Sequence, residues 1–225
     1  MEWLANYWDS YGELLLEGTW DSVVMTGISV FFAYVVGIPL GVLVVLTAKG
    51  GLHPHRALNA VLSWVINIGR SIPFIILMFA IIPFTRMIVG TSLGVPGAVV
   101  PLTVTAIPFV ARMVEQSLAG VDPSLVEAGQ SFGANTWQIV YKVYLRESLP
   151  SLIRGAAITF VTLFGFAAMA GCVGAGGLGD IAIRYGYQRY QPDVMVGALI
   201  LCIVVVQLAQ SLGDWLADRF NHKVR

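Results

Sequence analysis

Ser22–Ala48 reads SVVMTGISVFFAYVVGIPLGVLVVLTA, 27 residues between Asp21 and Lys49 without one charged side chain. A helix needs roughly 20 mostly apolar residues to cross the hydrocarbon of a bilayer. Hydrocarbon offers no water to an unpaired amide, so the backbone must bond within its own segment, as a helix does. The rest of the chain repeats the pattern. Met87–Ala111 holds 25 uncharged residues between Arg86 and Arg112, and Gly155–Gly179 holds 25 between Arg154 and Asp180. Val194–Gly213 holds 20 between Asp193 and Asp214, and Ala57–Thr85 is interrupted once, by Arg70. The pattern predicts an all-α polytopic membrane protein with five transmembrane helices.

Composition agrees. Of 225 residues, 57% are hydrophobic and only 12% charged, against roughly 25% charged in an average soluble domain. A surface so poor in charge excludes a disordered chain, a secreted disulfide scaffold and an ordinary cytosolic enzyme. The formal net charge is zero, so no basic excess points to a nucleic-acid partner. Cys172 and Cys202 lie in long apolar runs and read as small buried hydrophobes. No Cys/His spacing suits a metal, and His53-Pro54-His55 lacks a third ligand nearby, so neither a metal nor a cofactor is expected.

Lys and Arg in short loops set the orientation. With residue 1 outside, Lys49, Arg56, Arg112, Lys142, Arg146, Arg154, Arg219, Lys223 and Arg225 fall inside, nine against Arg86, Arg184 and Arg189 outside. Residues 1–21 hold no Lys or Arg but five acids. The expected organisation is an extracytoplasmic or interfacial segment 1–21, a transmembrane domain 22–215, and a cytoplasmic tail 216–225, with the N-terminus out and the C-terminus in. Trp3, Tyr7, Tyr11 and Leu15 fall on one helical face. That stripe suits either the outer headgroup layer or packing against the outer ends of neighbouring helices.

The longest inner connection, about residues 119–150, has its own punctuation. Asp122 is a good N-cap, and Pro123 fits the first helical position. A short helix should run to Phe132 and stop at a left-handed Gly133. Asn135, with Gln138 three residues on, opens a second short helix through a capping-box pair. The first helix is poor in apolar residues and rich in small ones. It reads as a docking element for a cytoplasmic partner or as a surface helix lying on the membrane.

Glu127-Ala128-Gly129, three more residues, then Gly133 resembles the EAA loop of permease subunits in bacterial ABC importers. That family pattern ends hydrophobic-x-Leu-Pro, and here it is Val143-Tyr144-Leu145-Arg146, with Gly129 for the third-position Ala and Arg146 for the Pro. Arg70-Ser71-Ile72-Pro73-Phe74, Ile82-Pro83-Phe84-Thr85-Arg86 and Gly174-Ala175-Gly176-Gly177-Leu178-Gly179, followed by Tyr185-Gly186-Tyr187, are similar to the methionine-importer branch. The resemblance implies a type I ABC importer permease fold in the bacterial inner membrane. It also implies a second copy of the chain, two ATP-binding subunits, and an extracytoplasmic methionine-binding protein or lipoprotein. The cargo would be methionine, L- and D-, moved by alternating access. Glu127, Ala128, Gly129 and Gly133 would couple the chain to the ATPase. Arg70, Ser71, Pro73 and Met169 are the candidate pathway or gating residues.

The letters Gly174-x-Gly176-x-x-Gly179 also match a dinucleotide fingerprint, but a spanning helix precedes them where that fingerprint needs a strand. They read instead as a tightly turning or flexible end of the fourth span. No phosphate-binding loop is present, so energy must come from another subunit or an ion gradient. A self-contained carrier usually keeps a buried acid relay, and the spans hold none. An ABC permease for another amino acid or small solute is the other alternative. Arg70 has two readings, a mid-span or inner-half group facing a polar cavity, or a snorkelling residue at a helix end. Gly37-x-x-x-Gly41 suits close helix packing, and Pro39, Pro73, Pro83, Pro101 and Pro108 are expected to kink their spans.

Overall fold

The computed structural model describes residues 2–220, with side chains from Tyr7 onward. The side chain of Trp3 in the aromatic stripe and two of the nine inner cations, Lys223 and Arg225, lie outside those bounds. Among the described residues there is no strand. The helices are α1 (Glu2–Thr47), α2 (Arg56–Ser71), α3 (Phe74–Ala80), α4 (Ile82–Val89) and α5 (Gly94–Ala119). They continue with α6 (Pro123–Ser131), α7 (Thr136–Ile139), α8 (Leu145–Glu147), α9 (Leu149–Ala170), α10 (Gly177–Ile181) and α11 (Pro192–Arg219). Wider π turns at Val140–Tyr144, Gly171–Ala175 and Ala182–Tyr187 join neighbouring helices.

Among the described residues four helices are long and apolar enough to cross a membrane, and one bent pair, a broken span or a re-entrant loop, brings the count to five if it is taken as a single span. That pair, α2 with α3, turns through 98°. The single span expected over Ala57–Thr85 is therefore broken. Pro73 has no N–H to donate and disfavours helical backbone at Ile72; it stands extended at the start of α3. Pro83 likewise sits in the first turn of α4, where its missing donor costs nothing. At the other prolines the helix is unbroken: α1 continues through Pro39, and α5 through Pro101 and Pro108. With 46 residues, α1 also carries on across Asp21, about 70 Å in all at 1.5 Å per residue.

The chain forms two compact units. The first comprises residues 2–31, 72–105 and 160–210. One of its clusters packs Met25, Phe74, Met78, Leu102 and Ala170, with the Phe74 and Phe166 rings stacked 5.0 Å apart. Another gathers Leu15, Phe164, Leu178, Ile181 and Val194, with Tyr7 and Tyr11 against it. The Tyr7 hydroxyl donates to the Asp193 carbonyl at 3.1 Å. The stripe's described members thus take the packing alternative.

The Gly174–Gly179 segment is a packed turn. Gly174, Gly176 and Gly177 all have positive φ. A Cβ on Gly179 would lie 2.1 Å from the Ala168 carbonyl oxygen, so only glycine permits that approach. The Leu178 amide donates to Ser22 Oγ at 2.9 Å.

The second unit comprises residues 32–71, 106–159 and 211–220. Here Gly37-x-x-x-Gly41 does what its spacing suggests. Added Cβ atoms would fall 2.6 Å from Val110 and 2.7 Å from Val114, so the backbone of α1 lies directly on α5. Val44, Ile66 and Ala111 continue that contact. The last carbonyls of α1 are all claimed: Asn59 Nδ2 donates to Val44 at 2.8 Å, the His53 amide to Leu46 and the His55 amide to Thr47, both at 3.0 Å.

Large apolar side chains remain uncovered along α11, among them Leu199, Ile203, Leu208 and Leu212. In water each would be costly; against lipid tails it is not. The same argument corrects the cysteines. Cys172 is exposed and Cys202 only partly covered, because in a bilayer an apolar thiol gains little by turning inward.

Candidate functional site

The loop after α5 is built almost wholly from local capping. Asp122 accepts the Ser124 amide at 2.9 Å, and Pro123 opens α6. At its far end the Gly133 amide donates to the Gln130 carbonyl at 2.9 Å and the Ala134 amide to the Gly129 carbonyl at 3.1 Å. With Gly133 at φ 75°, this is the paired-bond Schellman stop. Asn135 and Gln138 form the capping box. The helix, tight turn and helix read from sequence are therefore present. The second helix carries on through a π turn to Glu147 before α9 starts.

No residue of α6 is buried. Glu127 and Ala128 are exposed, while Gly129 faces Ile139 and Val143. A Cβ at Gly129 would meet those neighbours at 3.6 and 3.8 Å, ordinary contact, so alanine and glycine are both admissible there. Beneath α6 a cavity of about 360 Å³ is lined by Lys49, Glu127, Gln130 and Tyr144 among others. Burial pushes the Tyr144 phenol above its ordinary range, so it stays a neutral hydroxyl at physiological pH. His53 Nε2 and Thr136 Oγ1 lie 2.7 Å apart and tie the α1–α2 connection to the start of α7. His55 Nδ1 accepts the Leu58 amide. The two histidines thus serve hydrogen bonds in the fold.

Sequence reading missed the apolar surface of this loop. Phe132 is 90% exposed, Trp137 81% and Tyr141 74%. Phe132 adjoins Gly133, and the four-residue spacing of Trp137 and Tyr141, which puts both on one face of the second helix, was the available signal. Exposed aromatics beside a stiff short helix are the usual makings of a docking surface.

The candidate pathway residues are placed differently. Arg70 stands in the last turn of α2, exposed, with no ion pair among the described residues. It is thus at a helix end beside the break, not in the middle of a straight span. Ser71 Oγ donates to the Asn67 carbonyl at 2.8 Å. Pro73 is exposed at the bend, and Met169 is half-exposed on α9. Pro73 precedes Phe74, whose ring stacks on Phe166, three residues before Met169.

The chain thus presents a capped helix-turn-helix between helices whose apolar faces are uncovered. The chain belongs to the family of binding-protein-dependent transport system inner membrane components, whose model matches residues 37–225. It is 49% identical to the probable D-methionine transport system permease protein MetI of Vibrio cholerae over 220 residues, 98% of each chain. It is 50% identical to the D-methionine transport system permease protein MetI of Escherichia coli K12 over 158 residues, covering 70% of this chain and 73% of that one. Among solved structures it matches a chain of the MetNI methionine ABC transporter in inward-facing conformations. That match has a TM-score of 0.93 and 47% identity, over 95% of this chain and 99% of the other.

Proposed function

We propose that this chain is the membrane-spanning subunit of an ATP-driven importer for methionine, the D-isomer included. What carries the reading is agreement over nearly the whole chain, at about half identity, with permeases named for that cargo. Two copies form one route, since five spans make too small a bundle to enclose a wet path for an amino acid. Closed two-fold pairing places such a path between the subunits. Two ATP-binding subunits dock on the α6 loops from the cytoplasm, and an extracytoplasmic binding protein delivers cargo. The excess of Lys and Arg on the loop side of the spans supports N-terminus out and C-terminus in.

The chain does mechanical work. Glu127, Ala128, Gly129 and Gly133 present and stiffen the docking helix, and exposed Phe132 and Trp137 give the partner apolar area to bury. Closure of the ATP-binding pair pulls both α6 helices, and the bundles rock as near-rigid bodies between two arrangements. Glycine contacts such as Gly41 on Val114 transmit that pull because closely packed backbones cannot slip past one another. Arg70, Ser71, Pro73 and Met169 act along the route or its gate. The bend at Pro73 frees backbone groups that a cavity can use.

The test is uptake of labelled methionine into vesicles holding this chain, its ATP-binding subunit and its binding protein. Uptake should require all three and ATP, and unlabelled methionine should compete. Flux through vesicles holding this chain alone would overturn the reading.

A further inference from the structure

The second unit holds a cavity of about 530 Å³ to which α6 contributes Leu125 alone. It lies in the corner where the helix ending at Glu147 gives way to α9, and the end of α5 closes its third side. Lys142, Arg146 and Arg154 all line it. Arg154 is answered by Asp218 at 2.5 Å, and Glu147, the one acid on the walls, is itself engaged. Lys142 and Arg146 have no ion pair among the described residues. The Ser117 and Ser151 hydroxyls, 2.8 Å apart, add neutral donors.

The cavity stands where spans end. α5 stops at Ala119, α9 starts at Leu149 and α11 stops at Arg219. Trp215 is 57% exposed, with the Arg219 guanidinium 5.7 Å from its ring centre. An exposed Trp beside a cation at a span end marks the headgroup layer. Two unanswered cations at that depth call for an anion, and the anion abundant there is lipid phosphate.

We propose that this cavity seats the phosphate headgroup of an anionic phospholipid, with Lys142 and Arg146 as its charged donors. Basic pockets between spans on the cytoplasmic side recognise such headgroups. Arg146 stands where the family pattern carries Pro, and its planar fork matches phosphate oxygens in pairs. The inference rests on the orientation proposed above for naming the leaflet; the site itself requires only that the helices span a bilayer.

The test is native mass spectrometry of the purified permease from nanodiscs of equal phosphatidylglycerol and phosphatidylcholine. Wild type should retain phosphatidylglycerol preferentially. Lys142→Gln with Arg146→Gln should cut that retention roughly fivefold for each cation removed, while Lys142→Arg with Arg146→Lys keeps it. No preference in wild type, or full retention in the double Gln variant, would overturn the proposal. Displacement of the lipid by millimolar inorganic phosphate would also overturn it, in favour of a free-anion site. Retention is measured without transport or fixed orientation, so failure here is distinct from failure of the importer reading.

Discussion

Asn135 and Gln138 cap one another: the Gln138 amide donates to Asn135 Oδ1 and the Asn135 amide to Gln138 Oε1, both at 2.9 Å. With the double-bonded stop at Gly133, this pair fixes how α6 joins the helix that follows. α6 buries no side chain of its own. Its stiffness therefore comes from hydrogen bonds at its ends, which leaves its surface free for a partner.

Asn135→Ala removes one half of the box, a loss of about 1 kcal/mol. Amide hydrogen exchange over residues 136–139 should quicken roughly fivefold, the rate equivalent of that loss. In the assembled transporter, uptake per ATP hydrolysed should fall while hydrolysis persists.

Gly133→Val forces a β-branched residue to φ 75°, a strain of about 1–2 kcal/mol or more. Insertion should survive because space around Gly133 is open. Uptake should be lost with ATP hydrolysis retained. Gly133→Asn, whose side chain tolerates the left-handed region, should keep most uptake. Normal uptake in the Val variant would refute the turn's role.

Gly129→Ala should leave uptake within about twofold of wild type, since its Cβ meets Ile139 and Val143 at ordinary distances and overpacking penalties need closer contact. Gly129→Leu should displace α6 and abolish recovery of the ATP-binding subunit in a pull-down.

Gly41→Leu places a Cβ 2.7 Å from Val114 and 2.8 Å from the Ala111 carbonyl oxygen. The cost should be about 1–3 kcal/mol or more, seen as a lower Tm of the purified permease in detergent. An unchanged Tm would mean that α1 and α5 are not in backbone contact.

Arg70→Ala tests the pathway. If the exposed guanidinium at the end of α2 lines the route, uptake falls by an order of magnitude or more while complex recovery is unchanged. Unchanged uptake removes Arg70 from the pathway.

Spans were legible because lipid imposes a simple rule on composition, and the docking loop because Asp122, Pro123, Gly133, Asn135 and Gln138 each act on their immediate neighbours. A bend at Pro73 was legible from the proline itself, but its size was not, because a hydropathy run is the same whether the chain is kinked or turned through 98°. Nor was the fate of Cys172, since one sequence does not say which side of an apolar helix meets lipid and which meets protein. For the first of these reasons the two readings of Arg70 stayed open until the end of α2 was placed beside it. Phe132 and Trp137 were overlooked because a few aromatics in a short loop do not say whether they face a core or stand exposed.

The most direct test of the coupling account is chemical labelling at Ala128, in the exposed middle of α6. In a chain with Cys172→Ser and Cys202→Ser, Ala128→Cys should resist a membrane-impermeant thiol reagent added to intact cells. In inverted vesicles it should react, and it should cross-link to the ATP-binding subunit. Labelling from outside intact cells, or cross-linking to no ATP-binding partner, would contradict the claim that this helix receives force from a cytoplasmic engine.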